Sequence, residues 1–144
     1  MSTHKTMVIF ATDDQSHEGA MLFADHCKQV GINDKIKPLV GCYEGVEEVS
    51  YIMPLEAFTE HVLNIGLVHD QESFLHVSGC NKAYAVLHYQ DGREPLGLGS
   101  MCQVKEDVAR TYPAWTYRRD TKAWYIAHKS NPDHSKEIGP YVGS

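Results

Sequence analysis

The sequence predicts one α+β domain of ferredoxin-like design, with the element order β-α-β-β-α-β followed by extra C-terminal β-hairpins. Short apolar runs predict strands, and two longer segments carry apolar residues at spacings of three and four, which is typical of helices. Glycine, proline or an Asp-Gly pair separates these segments. The length of 144 residues suits a single domain with an ordinary core.

A strand and a capped helix are predicted first. Residues 7–11 form an apolar β-type run. Residues 13–16 suit a helix N-cap, because an Asp or Ser oxygen there accepts a hydrogen bond from a free backbone N–H. The helix then carries its apolar residues on one face until Gly31, at Ala20, Phe23, Ala24, Cys27 and Val30.

Two strands, a second helix and a further strand follow. Residues 35–42 and 46–53 predict neighbouring antiparallel strands around a glycine-flanked segment. Pro54 suits the first turn of a helix, and Gly66 is expected to end it. Residues 73–77 predict the strand that completes the β-α-β-β-α-β order.

The C-terminal part predicts additional β-structure. Strands over residues 83–89 and 96–104 flank an Asp-Gly pair, which is a strong hairpin signal. Residues 112–117 and 124–128 predict a final β pair.

Composition narrows the location and the partners. We expect residues 1–129 to form the domain and the polar residues 130–144 to be a tail that is poorly ordered unless a partner holds it. The net charge of −6 argues against nucleic acid as a partner, because that binding draws on a basic surface. No apolar run approaches the roughly 18 residues of a membrane span. The four cysteines form no C-x-x-C pair, which favours a reducing, cytoplasmic location.

Motifs for metals and cofactors are not found. None of the nine histidines belongs to an H-x-x-x-H or H-E-x-x-H pattern. The sequence also lacks a G-x-G-x-x-G motif, a P-loop and a G-x-S-x-G elbow. We therefore expect no cofactor and no metal, while a metal site assembled from distant parts of the chain stays open.

Tyr43 is the first candidate functional residue. It lies between Gly41 and Gly45, and glycine permits a close approach of the backbone to a ligand. A tyrosine in such a loop or bulge can stack on a base or donate a hydrogen bond to a carboxylate. The alternative is a tight strand connection with a half-exposed tyrosine.

Glu47 and Glu48 follow at once. Strand alternation sends the two carboxylates to opposite sides, so one faces solvent and the other can face a pocket near Tyr43. A carboxylate there can neutralise a cationic centre of a ligand. Both can equally be solubilising charges at a strand edge.

Gln71 and Glu72 stand where the chain enters the strand after the second helix. A charge at the start of a buried strand is costly without a partner or a use, and an amide suits recognition of amino, carboxylate or adenine groups. The alternative is an exposed polar connection.

Taken in order, these segments resemble the phage enzymes that degrade S-adenosylmethionine, formerly called hydrolases and now described as lyases. The likeness covers about residues 7–104. Its motifs are Gly41-Cys42-Tyr43, a glutamate before Ser50-Tyr51-Ile52-Met53, a helix, Gln71-Glu72-Ser73-Phe74-Leu75, and a hairpin with Asp91-Gly92.

The resemblance implies a PII-like homotrimer with active sites between subunits. S-adenosylmethionine would be split into 5′-methylthioadenosine and homoserine lactone without a cofactor, through attack of its own carboxylate on Cγ. The resemblance leaves open whether lactone or homoserine is released. Loss of this methyl donor would starve restriction-modification methylation, which suggests an anti-restriction role.

The resemblance also implies roles for single residues. Tyr43 would orient the substrate, and Glu48 would contact its amino group or its sulfonium side. Gln71 and Glu72 would bind it across the subunit interface. The segment Ala11, Thr12 and Asp13 would line the adenosine pocket.

A binding module is the competing hypothesis. A PII-like trimer could sense a small metabolite or block a host protein without catalysis, and the acidic charge would suit a basic partner.

Overall fold

The computed structural model describes residues 6–78, 84–128 and 136–137. The strands in these residues are β1 Met7–Ala11, β2 Lys37–Tyr43, β3 Val46–Pro54, β4 Ser73–Ser78, β5 Tyr84–Tyr89, β6 Leu96–Val104, β7 Ala114–Arg118, β8 Ala123–His128 and β9 Lys136–Glu137. The α-helices are α1 His17–Gln29, α2 Leu55–His61 and α3 Glu106–Ala109, and a short 3-10 helix spans Asn33–Lys35.

Eight of the strands close into an antiparallel β-barrel. Their order is β5-β4-β1-β3-β2-β7-β8-β6, and β6 pairs back with β5 to close the ring. The two-residue strand β9 pairs with β6 at Cys102 and Gln103. Every pairing is antiparallel.

The predicted ferredoxin-like sandwich, and with it the PII-like form, is therefore wrong. The element order up to β4 does run β-α-β-β-α-β, and these four strands lie side by side as β4-β1-β3-β2. In an open sandwich β2 and β4 would be the sheet edges. Here β7 pairs with β2 and β5 pairs with β4, so that both edges are occupied and the sheet closes on itself.

Apolar side chains on both faces of the strands explain why closure is favourable. All five residues of β1 are buried. Met7 and Ile9 belong to a cluster inside the barrel with Leu39 and Ile52, whereas Val8 belongs to a cluster on the outer face. An open sheet would leave one of these faces in water, and burial of a large apolar side chain contributes about 1.5–3 kcal/mol.

Helices cover the outer face at two places. Under α1 and α2 lies an aromatic cluster in which Phe10 contacts Phe23 and Phe58, with ring centroids 5.8 and 4.8 Å apart. Under α3 lies a second outer cluster around Trp115 and Trp124, whose ring centroids are 4.9 Å apart. The short helices therefore cap the apolar exterior of the barrel.

The first helix forms much as its sequence predicts. The Ser16 hydroxyl accepts a hydrogen bond from the Gly19 backbone N–H at 3.1 Å, which is the expected N-cap contact. Gly19 is required there, because a Cβ at this position would lie 2.3 Å from the Asp14 carbonyl oxygen.

The second helix is shorter than predicted. Pro54 is the last residue of β3 and the N-cap of α2, and the helix ends at His61 instead of continuing to Gly66. Val62, which belongs to the predicted apolar face, is nonetheless fully buried just beyond the end of the helix.

The connection between β2 and β3 is also tighter than predicted. Tyr43 pairs with Val46 as a regular strand residue, and only Glu44 and Gly45 form the turn. Both have positive φ, 52° and 84°, which is the geometry of a two-residue type I′ hairpin. Tyr43 therefore lies at a strand end and not in a loop or bulge.

Some expectations fall outside the described residues. These include most of the predicted tail at 130–144, Cys80 and the beginning of the predicted strand at 83–89. Among the described helices, none has the length and apolar character needed to cross a membrane.

Candidate active site

The candidate residues meet at one end of the barrel, which we call the mouth. At the mouth β1, β2 and β5 end while β3, β4 and β7 begin. The pairings Tyr43 with Val46, Tyr43 with Ala114, and Ser73 with Tyr89 fix this arrangement. The segments at 11–13, 43–48 and 71–72 are thus brought to the same end of the fold.

Tyr43 and Glu48 share the inward face of the β2–β3 hairpin. Glu48 pairs with Gly41, and its side lies in register with buried Ser50 and Ile52. Tyr43 is the diagonal neighbour of Glu48, at a Cα separation of roughly 7–8 Å. The Tyr43 side chain is 62% exposed, whereas Glu48 is half-buried.

Glu47 lies on the opposite face of β3. It is exposed and pairs with Cys42, which belongs to the outer side of the barrel. Of the two adjacent glutamates, Glu48 is therefore the one beside the mouth.

Gly41 keeps room for this arrangement. A Cβ on Gly41 would lie 2.9 Å from Ser50 Oγ, closer than real Cβ atoms approach a neighbour. The glycine beside Glu48 thus accommodates a buried hydroxyl on the adjacent strand.

Asp13 joins the end of β1 to the start of β4. Its Oδ1 accepts a hydrogen bond from Gln71 Nε2 at 3.0 Å, and both carboxylate oxygens accept from the Asp70 backbone N–H at 3.0 Å. The Asp13 N–H donates to the Leu67 carbonyl at 2.8 Å. The Gln71 Nε2 group donates to Asp13, and the Gln71 amide oxygen does not take part in this hydrogen bond.

Glu72 is directed to a different partner. Its Oε2 pairs with Arg93 Nη2 at 2.8 Å, and Arg93 also pairs with Asp91 at 2.9 Å. The Arg93 guanidinium lies 4.2 Å from the ring centroid of Tyr89. Hydrogen bonds from the backbone N–H and then the side chain of Arg93 lower the pKa of Asp91. Within one chain, Glu72 and Gln71 therefore point to separate contacts.

Ala11 and Thr12 are both buried at the end of β1. Ala11 is the last residue of β1 that pairs with β3, opposite Ser50. Thr12 Oγ1 donates to the Asp14 carbonyl at 3.3 Å, so its hydroxyl stabilises the loop that leads into α1. Ala11 and Thr12 thus supply backbone and small side chains to the mouth.

Two glutamines at the mouth were not predicted. Gln15 bonds both backbone groups of Val49, and Gln90 Nε2 donates to the carbonyl oxygens of Val68 and Gln71. In the sequence, both appear only as polar residues of a predicted loop. Their hydrogen-bond partners lie 34 and about 20 positions away, so local spacing does not reveal these contacts.

A cavity of about 180 Å³ lies elsewhere, on the outer face between α1 and β3, with Phe23, Cys27 and Tyr51 in its lining. Burial raises the pKa of the Cys27 thiol to about 11, so this cysteine is a protonated core residue and not a nucleophile. Among the described residues, no group of three or more His, Cys, Asp or Glu side chains is placed to hold a metal ion.

A closed antiparallel barrel with carboxylates, amides and a tyrosine at one mouth has the features of a protein that binds a small polar ligand. The family model of the S-Adenosylmethionine lyase family matches residues 9–127, which is most of the chain. The chain therefore belongs to the S-Adenosylmethionine lyase family, and it is an enzyme that acts on S-adenosylmethionine. Among curated proteins, none matches the sequence.

Proposed function

We propose that this enzyme splits S-adenosylmethionine into 5′-methylthioadenosine and homoserine lactone at the barrel mouth. The observation that carries the proposal is the convergence there of Asp13 with Gln71, and of Tyr43 with Glu48, from four different strands or strand ends. Membership of the S-Adenosylmethionine lyase family supports the substrate.

The reaction needs few protein groups. A carboxylate oxygen of the methionine arm attacks Cγ and forms the O–Cγ bond. The Cγ–S bond breaks, and its electron pair neutralises the sulfonium, so that no proton has to move. The enzyme mainly has to hold the arm folded with the oxygen near Cγ. Such orientation contributes up to about 7–11 kcal/mol in the best intramolecular cases.

Glu48 is proposed to bind the α-ammonium group of the substrate. That charge persists through the reaction, whereas the charge on sulfur disappears. A carboxylate held against the sulfonium would stabilise the ground state more than the transition state and slow the step. A carboxylate on the ammonium group holds the arm without that penalty.

Tyr43 is proposed to orient the same arm. Its phenol can donate a hydrogen bond to the carboxylate oxygen that does not attack, or its ring can pack against the substrate. Its high exposure in the single chain leaves the ring accessible to a ligand.

The adenosine end is assigned to Ala11, Thr12, Asp13 and Gln71. Gln71, held by Asp13, offers an amide oxygen to a donor such as the exocyclic amino group of adenine. The buried end of β1 supplies backbone groups close to this amide. Glu72 is proposed to release its exposed ion pair with Arg93 and to contact substrate that is held by a neighbouring subunit.

We further propose a homotrimer with active sites between subunits. Ligand sites usually enclose about 300–1,000 Å³, which exceeds the cavity on the outer face. Tyr43 and Val46 face each other at the hairpin tip and are 62% and 63% exposed, so the mouth presents apolar surface that a second copy can cover. Exclusion of water there would favour the lactone over the hydrolysed acid.

We propose that the enzyme acts on S-adenosylmethionine in the cytoplasm. The free cysteines Cys27, Cys42 and Cys102 support a reducing compartment. Depletion of the methyl donor would block restriction-modification methylation, and an anti-restriction role follows. Cells that express the active enzyme should admit an unmodified phage that control cells restrict. Equal restriction by both cell types would contradict this role.

Incubation of the pure protein with S-adenosylmethionine tests the reaction. Chromatography should show methylthioadenosine at the rate at which substrate disappears, without added metal or cofactor. The variant Tyr43→Phe should slow turnover about tenfold, the scale of one lost hydrogen bond, while Tyr84→Phe, on a strand end away from the mouth, should not. Tight binding of intact substrate without product would instead indicate a binding module.

A further inference from the structure

Beside the mouth, the side chain of Gln15 pairs with the β3 backbone beyond the last residue of β1. The backbone pairing of β1 with β3 ends at Ala11 and Ser50. Val49 precedes Ser50 in β3. Its N–H donates to Gln15 Oε1 at 2.7 Å, and its carbonyl accepts from Gln15 Nε2 at 3.1 Å. The side-chain amide thus makes the two hydrogen bonds that another strand would make.

The same amide also holds its own loop. Gln15 Nε2 donates a second hydrogen bond to the Thr12 carbonyl at 3.0 Å. Both amide hydrogens and the amide oxygen are therefore used, and the segment that leads into α1 is tied to β3. A primary amide is the side-chain group that can both donate twice and accept, so glutamate or leucine cannot replace it.

We call the hydrogen bonds of Gln15 to Val49 the clamp. The clamp matters for the site because Glu48 is the residue directly before Val49. Without Gln15, the part of β3 between Val46 and Val49 would pair only with β2. There β3 would be an edge strand beside β2, which pairs with β7 on its other side, and the β3 backbone groups that face away from β2 would have no partner. With Gln15, the backbone next to Glu48 is held from both sides.

We propose that Gln15 is a positioning residue, which fixes the Glu48 carboxylate in its catalytic place by clamping Val49. Gln15 does not itself touch the substrate. This inference rests on the proposed function, since it assigns to Glu48 a contact with S-adenosylmethionine.

Amide hydrogen exchange tests the clamp directly. The Val49 N–H should exchange at least about tenfold faster in Gln15→Ala and Gln15→Leu than in the wild type, because both variants lack the acceptor oxygen. Gln29→Ala, an exposed glutamine at the end of α1, is the control and should leave exchange unchanged. Unchanged Val49 exchange in both Gln15 variants would overturn the proposal.

A double-mutant cycle tests the positioning role. Gln15→Ala should lower kcat about tenfold in the wild-type background, as expected for a small displacement of a catalytic group. In the Glu48→Gln background, measured at single turnover with enzyme in excess, it should lower the rate less than about twofold, because the group it positions is gone. Gln15→Leu keeps most of the side-chain volume without any hydrogen-bonding group, and it is measured in both backgrounds if Gln15→Ala fails to fold.

The outcomes separate the two proposals. Equal losses in both backgrounds would show a general structural effect and overturn the positioning role alone. A Gln15→Ala enzyme with wild-type kcat would do the same. Absence of methylthioadenosine from the wild type would overturn the proposed function, and this inference with it.

Discussion

Gln71 Nε2 donates a hydrogen bond to Asp13 Oδ1 at 3.0 Å, and this contact joins residues 58 positions apart in the chain. It connects the end of β1 to the start of β4 at the mouth of the barrel. The contact holds the Gln71 amide through its Nε2 group, and the amide oxygen takes no part in it. The proposed adenosine pocket depends on this pair.

Replacement of Asp13 should therefore weaken substrate binding more than chemistry. Asp13→Ala removes the acceptor of both Gln71 and the Asp70 N–H. We expect KM to rise about tenfold with kcat changed less than about threefold, because the lost contact is made equally in ground and transition states. Steady-state kinetics measure this. Asp25→Ala on the exposed side of α1 is the control, and an unchanged KM in Asp13→Ala would refute the role.

The adjacent glutamates offer a matched pair of variants. Glu48→Gln should lower kcat/KM about 10- to 100-fold, since hydrogen bonds to charged groups contribute about 1.5–3 kcal/mol. Glu47→Gln, on the outer face, should stay within about twofold of the wild type. The opposite ranking would show that the other carboxylate serves the reaction.

Local patterns predicted much of the secondary structure but not the closed barrel. The strand at 7–11, the Ser16 region as an N-cap and the pairing of β2 with β3 were all readable, because each depends on neighbours in sequence. Closure depends on β2 pairing with β7, which joins Tyr43 to Ala114. Strand periodicity reports which face is buried, and it does not report which strand lies alongside.

The candidate site also divides into residues that local sequence patterns predicted and a residue that they did not. Tyr43, Glu48 and Gln71 stood out through glycine neighbours, strand alternation and position. Gln15 did not, because a glutamine in a polar loop carries no pattern that reveals its contact with Val49. Contacts between a side chain and a distant backbone are not encoded in local spacing.

Sites between subunits can be tested by complementation. If Glu48 of one subunit acts with Glu72 of its neighbour, Glu48→Gln and Glu72→Gln should each lower activity at least about tenfold when assayed alone. Trimers reassembled from a one-to-one mixture should recover activity at about one quarter of the sites, from random assortment around a ring. Activity of the mixture equal to the mean of the two variants would place the complete site within one subunit.

His76 should make stability depend on pH. Its ring stacks on His88 with centroids 3.8 Å apart. Burial, and then the charge of His88, lowers the pKa of His76 to about 4 from an ordinary value of 6.5. The unfolded chain therefore binds this proton more readily, so the contribution of neutral His76 is complete above pH 6.5 and is lost as the pH falls towards 4.

Thermal melts of the wild type and His76→Phe between pH 7 and pH 4 measure this effect. Phenylalanine keeps the stacked ring but cannot take up a proton. The wild type should lose more stability than the variant across this range, and the difference between the two curves cancels the carboxylates that titrate in both. Parallel curves would show that His76 does not titrate in this way.

Cleavage in ¹⁸O-labelled water tests the central claim most directly, because intramolecular attack and hydrolysis place oxygen differently. The account predicts methylthioadenosine together with early homoserine lactone that carries no label, and any homoserine formed later should carry ¹⁸O only in its carboxyl group. Homoserine with ¹⁸O in its hydroxyl group from the first time point would mean that water attacks Cγ, and would contradict the account.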